Sequence, residues 1–143
     1  MKGYYVMRHF ERGDDPSFYT NLTPKGHERS RELFIPGVSR IVSSPFTRCL
    51  ASVMPFADEI DVTITIACAL SEFIEDKRHN IGYESVECMR SRVQAFIEAD
   101  NPHRATSITL YVTHGAIAEY LTSSNGVGEP FAVGDVRWVP PSK

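Results

Sequence analysis

An α/β fold with a largely parallel sheet, covered on both faces by helices, is what this sequence predicts. Three observations lead there. Short β-prone runs alternate with stretches of helical periodicity, the pattern of βαβ units. The 143 residues hold no internal repeat, low-complexity tract or linker-like stretch, so residues 1–143 read as a single domain. Charged and nucleophilic side chains follow directly after several strand-like runs, at the rim where such sheets bind their ligands.

The first run is Tyr4 to Met7, followed by a polar, turn-rich loop through Asn21. Thr23 and Pro24 open a helix: the threonine offers a capping oxygen, and a proline at the first helical position lacks an N–H that would have no partner there. Gly26, Ser30 and Leu33 share one face, mostly small, as in a helix lying close to a sheet. Arg40 to Ser43 is the second strand. Ser44 and Pro45 repeat the cap-and-proline start before an apolar stripe of Leu50, Ala51, Met54 and Ala57, and Pro55 predicts a kink or an early end. Val62, Ile64 and Ile66 alternate with Thr63 and Thr65 as in a strand. After an irregular charged stretch from Ser71 to Tyr83, Val86, Met89, Val93, Phe96 and Ile97 form the clearest helical stripe. Ile108, Leu110 and Val112 alternate into a fourth strand, and Gly115 opens a short helix through Ile117, Tyr120 and Leu121. Val136 to Val139 reads as a last, edge strand stopped by Pro140 and Pro141.

Composition removes several function classes. Hydrophobic content of 42% and charged content of 23% are those of a globular protein rather than a disordered one. A chain this long buries roughly 68–70% of its unfolded surface, enough to fold without a disulfide or a metal. No apolar run approaches the ~18 residues of a bilayer span. The opening MKGYYVMRHFERGDD is charged early and lacks a stretch apolar enough for a signal peptide, so no membrane partner is expected. A net charge of −3 argues against a nucleic-acid partner. Cys49, Cys68 and Cys88 are far apart with no CxxC pair, and the five histidines are scattered. No metal, cofactor or disulfide is expected, and a reducing cytoplasm is the natural setting.

Just past the strand-like runs stand Arg8, His9 and Arg12, then Ser43, Ser44 and Arg48, then Leu70, Ser71 and Glu72, and finally His114 and Gly115. Two histidines, three arginines and a carboxylate thus converge on one rim. Planar guanidinium groups match phosphate oxygens and stay charged near neutral pH, which points to an anionic substrate. Helix starts after Ser44 and His114 would aim backbone N–H groups at the same anion. A histidine among them is able to attack phosphorus and form a covalent intermediate. Each residue alone is compatible with a plain structural or surface role, Glu72 included, since it begins the charged run Glu75, Asp76, Lys77 and Arg78. Their shared place at one end of one sheet is what favours function.

These segments, in this order, resemble the histidine phosphatases, the phosphoglycerate-mutase-like superfamily. VMRHFER is similar to the family's Arg-His motif, LTPKGHERS to the helix start that follows it, VSSPFTRCLAS to its Ser-Ser-Pro-x-x-Arg segment, and VTHGAIAEYL to the segment with the second histidine. GYESVECMRSRVQAFIE is a looser match to the helix before that segment, and together the matches span residues 4–121. The resemblance implies a three-layer α/β/α sandwich with a mostly parallel central sheet. It implies His9 as the nucleophile, Glu72 as the proton donor with Glu75 as the competing choice, and Arg8, Arg48 and His114 as phosphoryl ligands with Arg12 as a helper. Phe10 replaces the glycine that normally follows the histidine, and Ser52 stands where threonine is common.

The activity so implied is metal-independent hydrolysis of a phosphomonoester or phosphoprotein through a phosphohistidine. It would require a neutral His9, a protonated His114 and a Glu72 whose pKa is raised by the pocket and the phosphate. A phosphomutase would begin with the same step, and the short span from Cys68 to Gly82 as a cap favours an open, hydrolytic site. A module that binds phosphorylated ligands without turning them over is the alternative from another class. Phe18, Tyr19, Phe73 and Tyr83 would edge the pocket, packing on each other more often than on a substrate.

Overall fold

A computed structural model describes residues 2–73, 84–123 and 129–141. The elements run β1 (Tyr4–Arg8), α1 (Pro24–Glu32), β2 (Arg40–Ser43), α2 (Thr47–Glu59), β3 (Ile64–Ile66), a 3-10 turn (Cys68–Leu70), α3 (Val86–Arg104), β4 (Thr109–Thr113), α4 (Gly115–Thr122) and β5 (Val136–Val139). The five strands form one sheet in the order β3-β2-β4-β1-β5, parallel throughout except for β5, which is antiparallel to β1 at the edge.

Strand side chains alternate between two cores. Met7, Ile41, Leu110 and Val112 pack with Val53 and Phe56 of α2 on one face. Val6, Val42 and Tyr111 pack with Val93 and Ile97 of α3 and Ile117 of α4 on the other. The result is the expected three-layer α/β/α sandwich. β4 is buried at all five positions because it is central and covered on both faces, so the alternation read in Ile108, Leu110 and Val112 marks a fully enclosed strand rather than a half-exposed one. No helix among the described residues is long and apolar enough to cross a membrane.

Several local expectations hold. Thr23 caps α1 by accepting the Gly26 N–H at 3.1 Å, with Pro24 at the first helical position. The structure adds a cap that the sequence reading did not name, Ser85 at the start of α3, through the Cys88 N–H at 3.1 Å. Other expectations are corrected. α2 starts at Thr47 with Phe46 at its cap position, not at Ser44 and Pro45, because the Ser44 hydroxyl is committed elsewhere. Pro55 does not end α2, which runs on to Glu59. The small face of α1 meets the loop after β1 rather than the sheet: a Cβ on Gly26 would collide with the Glu11 carbonyl. Residues 74–83, and with them Glu75, Tyr83 and most of the expected cap, lie outside the described residues.

Candidate active site

The register of the sheet builds the site. Arg8 of β1 lies beside Thr113 of β4, so the next residue on each strand, His9 and His114, emerges side by side at the carboxyl ends. Their rings are 5.5 Å apart. Ser44, the residue after β2, comes from the other neighbour of β4. Sequence-distant groups meet here because the chain reverses its strand order around β4, the position at which open α/β sheets carry their ligands.

His9 is buried, and its Nδ1 lies 2.7 Å from the Phe10 carbonyl. A carbonyl accepts only, so Nδ1 carries the proton and Nε2 is left with its lone pair. Burial pushes the imidazole pKa down to about 4; the bond to Phe10 opposes the fall, and the charges of His114, Arg48 and Arg8 add to it. The ring is therefore neutral at pH 7, as expected of a nucleophile.

Phe10, the departure from glycine, places its bulk away from His9. The ring enters the α1/α2 core and lies 4.8 Å beneath the Arg29 guanidinium. Its N–H donates to Ser52 Oγ at 2.9 Å, and that hydroxyl donates to the Arg48 carbonyl at 2.6 Å. Ser52 thus ties the histidine loop to the first turn of α2. On the other side the Gly134 N–H donates to the carbonyls of Arg8 and His9. Gly134 has φ +82, and a Cβ there would collide with Arg29 and Phe10, so this turn requires glycine.

Arg48 is completely buried. Its Nη1 donates to the Ser17 carbonyl at 2.9 Å and its Nη2 to Glu72 Oε2 at 3.1 Å, while the guanidinium lies 4.8 Å over the Phe46 ring. His114 is also fully buried. Ser44 Oγ accepts the Phe46 N–H and lies 2.9 Å from His114 Nε2, so the network assigns the serine proton to Nε2 and the ring proton to Nδ1. Nδ1 sits 3.2 Å from Glu72 Oε2, within ion-pair range though off-line for a good hydrogen bond. One carboxylate oxygen therefore bridges Arg48 and His114.

This bridge sets the electrostatics of the site. Burial would raise the Glu72 pKa, but His114 and Arg48 together outweigh it and hold the carboxyl down to about 2 while the bridge stands. Burial lowers the His114 pKa, and the pull of Glu72 opposes the fall. Cys49 Sγ approaches His114 Nε2 at 3.6 Å, but burial pushes its thiol up to about 12, which keeps it unreactive.

Arg8 Nη1 donates to the Phe131 carbonyl at 2.6 Å. Its guanidinium packs on Gly115, where even a methyl would press to 3.2 Å. Arg8, His9, Arg12 and Asp14 line one cavity of about 360 Å³, and Arg12 is anchored through Nη1 to the Gly13 carbonyl at 2.7 Å. Of the nominated residues within the described part of the chain, Arg8, His9 and Arg12 line the cavity, and Arg48, Glu72 and His114 form a linked cluster whose His114 ring lies beside that of His9. Phe18 stacks on Phe46 and Tyr19 rather than standing clear. Among the described residues no three His, Cys, Asp or Glu side chains are grouped so as to hold a metal. Sequence reasoning missed the carbonyl of Phe131 and the turn at Gly134, for which residue type gives no signal. It treated Ser52 as a minor change, although its hydroxyl makes two structural bonds.

No protein-family model and no curated protein matches the sequence. Solved structures do resemble the fold. A mycobacterial glucosyl-3-phosphoglycerate phosphatase superposes with a TM-score of 0.76 over 96% of this chain and 89% of its own, at 12% identity. The protein histidine phosphatase SixA, solved with tungstate, superposes with a TM-score of 0.64 over 95% and 86%, at 16% identity. A putative alpha-ribazole-5'-P phosphatase from Escherichia coli does so with a TM-score of 0.69 over 84% and 77%, also at 16% identity. Strand order, three layers and these superpositions agree: the chain has the phosphoglycerate-mutase-like fold of the histidine phosphatases, in a small version.

Proposed function

We propose that this protein is a metal-independent phosphatase that hydrolyses a phosphomonoester, small or protein-borne, through a covalent phosphohistidine on His9. The observation that carries the reading is the single hydrogen bond from His9 Nδ1 to the Phe10 carbonyl, which leaves Nε2 unprotonated beside Arg8, Arg48 and His114. The phosphatase names of the structural relatives support the reaction class, and their different substrates leave the substrate open.

In this reading Arg8 and Arg48 neutralise the phosphoryl oxygens, and His114 Nδ1–H and Arg12 add donors. An incoming phosphoryl group takes the place of the Glu72 carboxylate between Arg48 and His114. Glu72 then loses the two partners that hold its pKa near 2 and faces a negative neighbour instead, so its pKa climbs and it takes up a proton. His9 Nε2 attacks phosphorus as the P–O bond to the leaving group breaks, and Glu72 gives its proton to the departing oxygen. Water, with Glu72 now accepting its proton, cleaves the P–N bond and restores the imidazole. The setting is cytoplasmic.

Release of phosphate from p-nitrophenyl phosphate, with chelator present, is expected from the native chain and not from His9→Ala. Acid quenching of a turnover mixture should trap an acid-labile, base-stable phosphoryl group on the native protein. A second reading, phospho-ligand binding without turnover, is favoured by one observation: Glu72, bridged to Arg48 and His114, is ionised and so is not a proton donor in that arrangement. Phosphate that raises the melting temperature of a chain with no turnover would decide for it.

A further inference from the structure

At the opposite end of β1 lies a second cavity, of about 350 Å³, between α3, the end of α4 and the β1–β5 edge. Lys2, Tyr4, Asn101, Arg104, Tyr120 and Leu121 are among the residues that line it, and it shares none with the cavity beside His9. Its volume is at the low end of the roughly 300–1,000 Å³ of small-molecule sites.

Arg104 gives this cavity its character. The side chain is 96% buried, and no ion pair of the described residues includes it. Its Nη1 donates to the Ile97 carbonyl at 2.8 Å and the Tyr111 hydroxyl at 2.9 Å, Nη2 reaches Asn101 Oδ1 only at 3.4 Å, and Nε has no partner. Every one of these acceptors is neutral. Asp100, one turn earlier on α3, is already held by Arg40 through bonds of 2.7 and 2.8 Å and accepts the Tyr111 hydroxyl as well. The one carboxylate is thus paired with Arg40, which leaves the group of Arg40, Asp100 and Arg104 with a net charge of +1, and Lys2 adds a second cation at the cavity. A buried charge is seldom left without a counter-charge, because its desolvation is costly. Tyr4, which lies beneath the Arg104 guanidinium with its ring centroid 5.1 Å away, together with Tyr120 and Leu121 supplies flat and apolar wall.

We propose that this cavity binds a small organic anion, a carboxylate on a flat apolar body. Its charge completes the Arg104 network, and its body lies against Tyr4, Tyr120 and Leu121. This site is separate from the phosphatase reading and stands or falls without it.

The test titrates the full chain with benzoate and with its uncharged counterpart benzamide, following by NMR the side-chain amide signals of Asn101 and of Gln94, which also lines the cavity. Benzoate should shift both signals saturably, and benzamide should bind more weakly by about tenfold or more, one decade in Kd. Asn101→Asp puts a carboxylate within reach of Arg104 Nη2 and should abolish benzoate binding, read at Gln94, while phosphate release from p-nitrophenyl phosphate stays at the native rate. Lys2→Glu, at an exposed position, should weaken benzoate by about tenfold and serves if Asn101→Asp fails to fold. Absence of saturable shifts, equal binding of benzamide, or unchanged affinity in the folded variants would overturn the proposal.

Discussion

Two arginines are drawn out of water at opposite ends of the same sheet, and they are held in different ways. Arg48, at the carboxyl ends of the strands, faces a carboxylate from a loop, Glu72, which is itself 31% exposed. Arg104, at the other end, is surrounded by a carbonyl, a phenol and an amide. The first arrangement holds a charge ready for exchange: a ligand oxygen is able to replace the carboxylate without stranding the guanidinium. In the second, neutral dipoles keep the group in place and leave its charge uncompensated. Two buried arginines thus ask different things of a ligand: at Arg48 it would have to displace a carboxylate, and at Arg104 it would have to supply the missing charge.

The contrast is broken most directly by truncating each arginine. Arg48→Met should lower kcat/KM for p-nitrophenyl phosphate by roughly 10²–10³, the usual loss on removing one preorganised charge-stabilising donor. Arg104→Met should leave it within about threefold, since no group at the catalytic rim touches that residue. Comparable losses in both would mean that the two ends are not independent.

Glu72→Gln sharpens the idea of an exchangeable partner. With the competing charge removed, inorganic phosphate should bind about tenfold more tightly by calorimetry. Turnover of an alkyl phosphate should fall by roughly a hundredfold, and that of p-nitrophenyl phosphate by much less, because its leaving group needs little protonation. Equal losses for the two substrates would remove Glu72 from the role of acid.

The rim that carries His9 should also carry the acid sensitivity of the fold. His9 has its pKa lowered to about 4 in the folded chain, so between that value and the ordinary imidazole range the unfolded chain binds a proton that the folded one refuses. The associated stability is complete above about pH 6.5 and is lost as pH falls toward 4, up to about 3 kcal/mol in all. Glu72 extends the loss to lower pH, because its own depressed value means that protonation weakens the bridge to Arg48 and His114. Melting temperatures taken from pH 7 to pH 4 should fall steeply for the native chain and more gently for His9→Gln.

At the far end the sensitive partner is Arg40. Arg40→Met strands the Asp100 carboxylate, and should cost about 2 kcal/mol, or roughly 4–8 °C in Tm, with activity retained. Smallest is the thiol behind the site. Iodoacetamide should label the exposed Cys68 and Cys88 in the native protein and leave Cys49 unmodified until the chain unfolds.

Legibility in the sequence followed the range of the interaction. Thr23 and Pro24 announced α1, and Arg40 to Ser43 and Val136 to Val139 announced strands with the observed bounds, because capping and alternation are local. Ser44 misled for the opposite reason: its hydroxyl looked like a helix cap but is spent on His114, seventy residues away. The candidate residues could be placed near one rim from the sequence because they follow strand ends. The bridge from Glu72 to Arg48 and His114 was not legible, since it joins three separate segments. Arg104 carried no signal at all; as a basic residue in the last turn of a helix it looks like ordinary dipole compensation.

The bridge made by Glu72 also bears on the pace of turnover. A carboxylate tethered next to its own binding site acts as a competitor whose effective concentration is of millimolar order. Free phosphate must exceed that level to occupy the pocket, whereas an ester brings the rest of its molecule to the contest. On the proposed reaction, product would leave as the carboxylate returns, and turnover should continue at millimolar inorganic phosphate with little inhibition by the product.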